Sequence, residues 1–218
     1  MKPFTRTALV FSFCTAILGG SMPAYAQHQS AHAATAIPAT KIDQTSAALR
    51  DLWIGHVFWV RNVVLERLAG NKAAVTVAEN EAVANAKQIA AAIEPFYGKA
   101  ASDKLFTLLA GHYGAVKQYL DASIAKSKAK QDAATKALTT NADEIASFLA
   151  SANPNFPVDA LRGLLLAHGG HHMQQIQQLR DKNYAEEAKT WSAMKDHMYV
   201  IADALTDGLA KQFPDKFK

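Results

Sequence analysis

The sequence contains a single cysteine, Cys14, among 218 residues, and this scarcity excludes several kinds of site. A chain with one thiol has no internal disulfide and no set of thiolate ligands for zinc. Its stability must therefore come from the burial of apolar side chains. A metal site in it can contain at most one thiolate, from Cys14.

Known catalytic motifs are also missing. The sequence has no His-Glu-x-x-His, Glu-x-x-His, Cys-x-x-Cys-His or Gly-x-Ser-x-Gly segment. The first two hold catalytic metals, the third attaches haem and the last presents a nucleophilic serine. Although the net charge is +4, Lys and Arg form no cluster with aromatic residues, so no nucleic-acid surface is predicted. An enzyme that uses a histidine-bound metal and water remains an open alternative.

The first 26 residues have the three parts of a signal peptide. Lys2 and Arg6 provide a positive start, Thr7–Gly20 is apolar, and Pro23–Ala26 ends in the small residues that signal peptidase accepts. The apolar run is shorter than the roughly 20 residues of a membrane-spanning helix, and no second candidate follows. We therefore expect cleavage near Ala26 and a periplasmic or secreted protein without a transmembrane anchor.

The remainder of the chain is predicted to be all-α. Residues 27–42 are rich in Ala, Thr, Ser and Gln and are expected to form a flexible arm. From residue 43 to 218, apolar residues recur at three- and four-residue spacing, as one buried helix face requires. Breakers such as Gly70-Asn71, Pro95 and Pro154 divide this single domain into six helices.

The chain also resembles itself when it is shifted by 56 residues without gaps. The aligned positions predict three tandem αα-hairpins, at about 43–98, 99–154 and 155–213. Two of the aligned columns are polar although they lie on otherwise apolar helix faces. The first column contains His56, His112 and His168, and the second contains Asn85, Asn141 and His197.

Two interpretations of these buried polar columns are open. An unpartnered buried polar group costs roughly 1–3 kcal/mol, so each side chain needs a partner. In the first interpretation, each imidazole bonds to the asparagine of its own hairpin, and the protein is a metal-free structural or interaction module. In the second, the imidazoles converge on one transition metal, zinc or copper, for which imidazole is a common ligand. Convergence requires hairpins that close around an axis, whereas stacked hairpins keep the imidazoles about 8–10 Å apart.

The third hairpin contains additional histidines. In His168-Gly169-Gly170-His171-His172, the first and last imidazoles lie one turn apart on the same helix face. The predicted ligands are therefore His56, His112 and His168, completed by His172 or His197. Asn85 and Asn141 are predicted to support them or to serve the structure alone.

Three segments resemble a family of small, exported bacterial helical proteins. They are Leu52-Trp53-x-x-His56-x-x-Trp59-x-Arg61, Asn141-Ala142-Asp143-Glu144-Ile145-Ala146-x-Phe148-Leu149, and His197–Gly208 with the later Gln212-Phe213-Pro214. The similarity runs from about Leu49 to Phe217. It implies that the histidines of each hairpin belong to a shared pattern. The family is uncharacterised, so the resemblance implies no activity.

Overall fold

The computed structural model describes residues 39–218. The predicted signal peptide (1–26) and residues 27–38 of the predicted arm lie outside this range. Within the described residues there are helices and no β-strand, which confirms the all-α prediction. In chain order the helices are α1 (Lys41–Ala69), α2 (Lys72–Ala91), the short α3 (Glu94–Tyr97), α4 (Lys99–Ile124), α5 (Lys128–Ala152), α6 (Val158–Arg180), α7 (Tyr184–Gln212) and a 3-10 helix (Pro214–Phe217).

Helix α1 begins at Lys41, two residues before the start that the apolar pattern predicts. The hydroxyl of Thr40 accepts a hydrogen bond from the backbone N–H of Asp43, and the Asp43 carboxylate accepts one from the Thr40 N–H at 3.0 Å. This capping box satisfies backbone donors of the first turn, so the helix starts ahead of its apolar stripe. At its other end Gly70 adopts φ 74°, and Asn71 caps α2, as the break between them predicts.

The six long helices close into a ring. Each long helix contacts the next one along the chain, and α7 contacts α1. Helices α1, α4 and α6 also contact one another, so they lie on the inside of the ring. The helices therefore do not form an open stack, because a stack would leave its first and last helices apart. A closed ring is the arrangement that allows side chains from α1, α4 and α6 to meet.

Two apolar clusters lie along the three inner helices. The first includes Leu49 and Trp53 of α1, and the second includes Val60 and Val64 further along the same helix. The inner helices α4 and α6 contribute to both clusters in the same order. On α4 and α6, the histidine of the first polar column lies between the residues of the two clusters, and on α1 His56 lies next to Val57, the last α1 residue of the first cluster. The fold therefore places a polar layer inside an apolar core.

No helix between residues 39 and 218 contains a stretch of sufficient length and hydropathy to cross a membrane.

Candidate metal centre

Four imidazoles from the three inner helices meet inside the ring. They belong to His56 on α1, His112 on α4, and His168 and His172 on α6. One ring nitrogen of each lies within 4.8 Å of a ring nitrogen of every other. The ring centroids are 4.5 Å apart for His168 and His172 and 6.2 Å apart for His56 and His112. We call this group the four-histidine cluster.

The four-histidine cluster is almost completely shielded from solvent. The exposed fraction is 5% for His56 and for His112, 1% for His168 and 2% for His172. Trp53, from the first apolar cluster, lies against the rings of His56 and His168, with centroid distances of 6.0 and 6.1 Å. The imidazoles are therefore surrounded by helices and apolar side chains rather than by water.

Half of the eight ring nitrogens in the cluster lack a hydrogen-bond partner among the described residues. Two others form a close pair, because Nε2 of His168 lies 3.2 Å from Nε2 of His172. Both nitrogens of His56, Nε2 of His112 and Nδ1 of His168 are buried and without a partner among the described residues. A buried polar atom in this state is costly, and nearly all such atoms in folded proteins are paired.

The surroundings keep the four rings uncharged. Burial, with a smaller contribution from His112, lowers the pKa of His56 to about 3. Burial lowers the pKa of His112 to about 4, although the nearby Asn141 amide acts in the opposite direction. The pKa values of His168 and His172 are also well below their ordinary value, because of burial and the neighbouring imidazoles. Each ring therefore retains a lone pair at neutral pH, the form in which histidine binds metals.

Asn85 and Asn141 donate their amide N–H groups to backbone carbonyls of the neighbouring helix rather than to the imidazoles. The Asn85 amide N–H donates to the backbone carbonyl of Leu52 at 3.0 Å, and that of Asn141 donates to the carbonyl of Leu108 at 2.9 Å. Each of these carbonyls lies four residues before a cluster histidine. A carbonyl oxygen inside a helix has a second lone pair, which can accept this additional bond. The amide N–H groups of the asparagines therefore join neighbouring helices.

His197 has the same role as the two asparagines and lies apart from the cluster. Its Nε2 bonds to the carbonyl of Leu164 at 2.8 Å. Because a carbonyl only accepts, this nitrogen carries a proton and has no lone pair for a metal. The ring of His197 lies beside that of His171, which is partly exposed, with 5.5 Å between centroids. The fourth member of the set is therefore His172 and not His197.

The internal alignment contains a reason to prefer His172 to His197 as the fourth histidine. Position 172 lies 56 residues after Val116, which itself lies 56 residues after Val60. The third predicted hairpin thus has an imidazole at the position where the other two predicted hairpins have valine, and both valines are buried. His172 thus adds a fourth imidazole to those of His56, His112 and His168.

The glycine pair between the two α6 histidines is not required by close helix packing. A Cβ atom added at Gly169 or Gly170 would meet nothing within 4 Å. Glycine inside a helix costs about 1 kcal/mol relative to alanine, and this cost is not offset by a tight contact here. No packing contact among the described residues therefore explains the glycine pair.

Comparison of the chain with protein-family models, with curated proteins and with solved structures found no match. The resemblance to the uncharacterised bacterial family stays a prediction.

Proposed function

We propose that this protein is exported and that it binds one transition-metal ion, zinc or copper, through His56, His112, His168 and His172. The observation that carries the proposal is the set of unpaired ring nitrogens in the four-histidine cluster. In a purely structural role the imidazoles would be expected to have protein partners, since each missing partner costs roughly 1–3 kcal/mol. A metal ion would provide a partner for one nitrogen of each ring.

The spacing of the nitrogens suits such an ion. Zinc–nitrogen bonds of 2.0–2.1 Å in a tetrahedron place the nitrogens about 3.3–3.4 Å apart. The Nε2 atoms of His168 and His172 are already 3.2 Å apart, and all the donor atoms lie within 4.8 Å of one another. Small rotations of the rings bring the remaining nitrogens to bonding distance.

The number of donors favours binding over hydrolysis. A catalytic zinc site has three protein ligands and leaves one position for water, whereas a structural site is closed by four. Four buried imidazoles fill a tetrahedron and leave no position for a water nucleophile. We therefore propose a metal-binding protein rather than a metal-dependent hydrolase.

The test is elemental analysis of the full chain after expression and purification from the periplasm. The expected result is zinc or copper at one ion per chain, which His112→Ala reduces by at least tenfold while the helical circular dichroism spectrum is retained. His197→Asn is the matched control, because asparagine occupies the aligned positions 85 and 141 and bonds a carbonyl there. This control should retain the metal.

A different result would support the metal-free structural module. In that case the wild-type protein contains no metal, gains none when zinc or copper is added, and is simply destabilised by His112→Ala. Failure of the protein to reach the periplasm would contradict only the proposal that it is exported, because the metal site does not depend on the location of the protein.

We also propose that the six long helices are three tandem copies of one hairpin. Three hydrogen bonds support this proposal, each joining residues 33 apart in the chain: Asn85 to Leu52, Asn141 to Leu108 and His197 to Leu164. Their positions are offset by 56 residues, like the aligned columns of the sequence. A repeated hairpin explains why three inner helices each present a histidine to the centre.

A further inference from the structure

The four-histidine cluster offers a metal ion no negative charge. Its members are four imidazoles, and no carboxylate or thiolate from residues 39–218 belongs to the group. Neutral imidazole is an uncharged ligand, unlike the carboxylates or thiolates of many zinc sites. An ion bound there therefore keeps its full charge.

Nor does the surrounding core supply a balancing charge. Glu187 is the one buried acidic side chain among the described residues. Both of its oxygens already bond Arg61, at 2.7 and 2.8 Å, and one also accepts a hydrogen bond from Gln175 at 3.1 Å. Its charge is thus neutralised by its own partner.

The cavity on which Trp53 borders is also unsuited to a counter-ion. A cavity of about 40 Å³ adjoins Trp53, which contacts the rings of His56 and His168. Its walls are almost entirely aliphatic and aromatic, and include Leu109 and Leu165. A hydrated anion that accompanied a metal dication would lose its hydrogen bonds in such a cavity.

We propose that the ion selected by the four-histidine cluster is monovalent copper, Cu(I), rather than a divalent ion. This inference depends on the proposed metal-binding function and specifies its ligand. The cost of moving an ion from water into a medium of low dielectric constant increases with the square of its charge, so a dication pays four times as much as a monocation of equal size. Among the metals that imidazole binds well, copper has a stable monovalent state.

The wild-type full chain provides the first test. Its affinities for Cu(I), under anaerobic conditions with a chromophoric Cu(I) chelator as competitor, and for Zn(II), with a zinc chelator, are measured at pH 7.5. The expected dissociation constant for Cu(I) is at least 100-fold lower than that for Zn(II). Equal or tighter binding of Zn(II) would overturn the inference and leave the proposed function intact. Binding of neither ion would overturn both.

A pair of variants isolates the effect of charge. His172→Glu and His172→Gln have side chains of the same size, and they differ by one negative charge at the site. The ratio of Zn(II) affinity to Cu(I) affinity should be at least tenfold higher in the glutamate variant than in the glutamine variant. An equal ratio in the two variants would mean that charge does not determine which metal binds.

A redox measurement requires no substitution. If the site prefers the monovalent ion, the Cu(II)/Cu(I) reduction potential of the copper-loaded wild-type protein lies above that of copper in excess imidazole solution. A potential equal to or below the solution value would contradict the preference for Cu(I).

Discussion

The Nε2 atoms of His168 and His172 lie 3.2 Å apart, one turn from each other on helix α6. Two neutral imidazoles at this distance form one hydrogen bond, in which one Nε2 donates its proton and the other accepts it. The donating ring retains a lone pair on its Nδ1 atom. The same distance is close to the edge of a tetrahedron around a metal ion, which is about 3.3–3.4 Å. The pair is therefore arranged for either state, and removing one of its members should separate metal binding from folding.

The first prediction concerns His172→Val, which introduces the residue found at positions 60 and 116. The variant has three nitrogen donors, so we expect its metal affinity to fall by at least 100-fold in chelator competition. In the metal-free state we expect the free energy of unfolding to change by no more than about 2 kcal/mol, because removal of a buried polar ring favours folding whereas Nε2 of His168 loses its partner. His171→Ala, outside the cluster, is the control and should leave metal affinity unchanged. Retained affinity in His172→Val would exclude His172 as a ligand.

The second prediction is that the metal-free protein loses stability as the pH falls below neutral. Burial lowers the pKa of His56 to about 3 and that of His112 to about 4, against an ordinary value of 6.5. Below pH 6.5 the unfolded chain takes up protons that the folded protein does not, so acidification favours unfolding. Stability should be fully present above about pH 7. It should decrease between about pH 6.5 and 4 by roughly 1 kcal/mol per pH unit for each buried imidazole.

Urea denaturation of the metal-free protein at several pH values checks this dependence. The slope of the free energy of unfolding against pH should be smaller in His172→Val than in the wild type, by the contribution of one imidazole. A free energy of unfolding that stays constant from pH 7 to pH 5 would show that the rings are accessible to protons in the folded state.

The sequence alone predicts the helices and the direction of the histidines, because the spacing of apolar residues identifies a buried helix face. His56, His112 and His168 lie on such faces, and the structure buries all three. The closure of the ring is not predictable in the same way, since stacked hairpins and ring-forming hairpins bury the same stripes. Whether the ring closes depends on contacts between the first and last helices, and the spacing of apolar residues within each helix does not reveal those contacts.

The partners of Asn85 and Asn141 could not be predicted from the sequence for a different reason. A polar residue on an apolar face indicates that a partner exists, but every backbone carbonyl is a candidate and none is marked by residue type. The sequence does contain one clue, which is the small residue directly before each histidine of the first polar column. A Cβ atom at Gly55 would lie 2.9 Å from the Asn85 amide nitrogen, so glycine there makes room for the amide.

The third prediction follows from this clearance and concerns three glycine-to-alanine variants. Gly55→Ala should destabilise the protein, because the new methyl group collides with the Asn85 amide. Gly111→Ala should have an intermediate effect, since its Cβ would lie 3.3 Å from the Asn141 amide nitrogen. Gly163→Ala meets nothing within 4 Å and should stabilise the helix by up to about 1 kcal/mol. Urea denaturation should reproduce this order, and a stabilising Gly55→Ala would contradict the proposed reason for glycine at that position.

The fourth prediction concerns the ion pair between Arg61 and Glu187. The Glu187 side chain is 4% exposed and that of Arg61 is 30% exposed, so water can reach the guanidinium but hardly the carboxylate. Arg61→Met leaves a buried carboxylate without its partner, and we expect a loss of about 3–5 kcal/mol. Glu187→Gln leaves a guanidinium that water can solvate, and a glutamine that still bonds it, so its cost should be about 1–2 kcal/mol.

Chemical denaturation of the two single variants and of the double variant Arg61→Met/Glu187→Gln measures the difference between the two losses of stability. Because the double variant removes both charges, it should be more stable than Arg61→Met alone. Equal losses in the two single variants would show that burial of Glu187 does not determine the energetics of the pair.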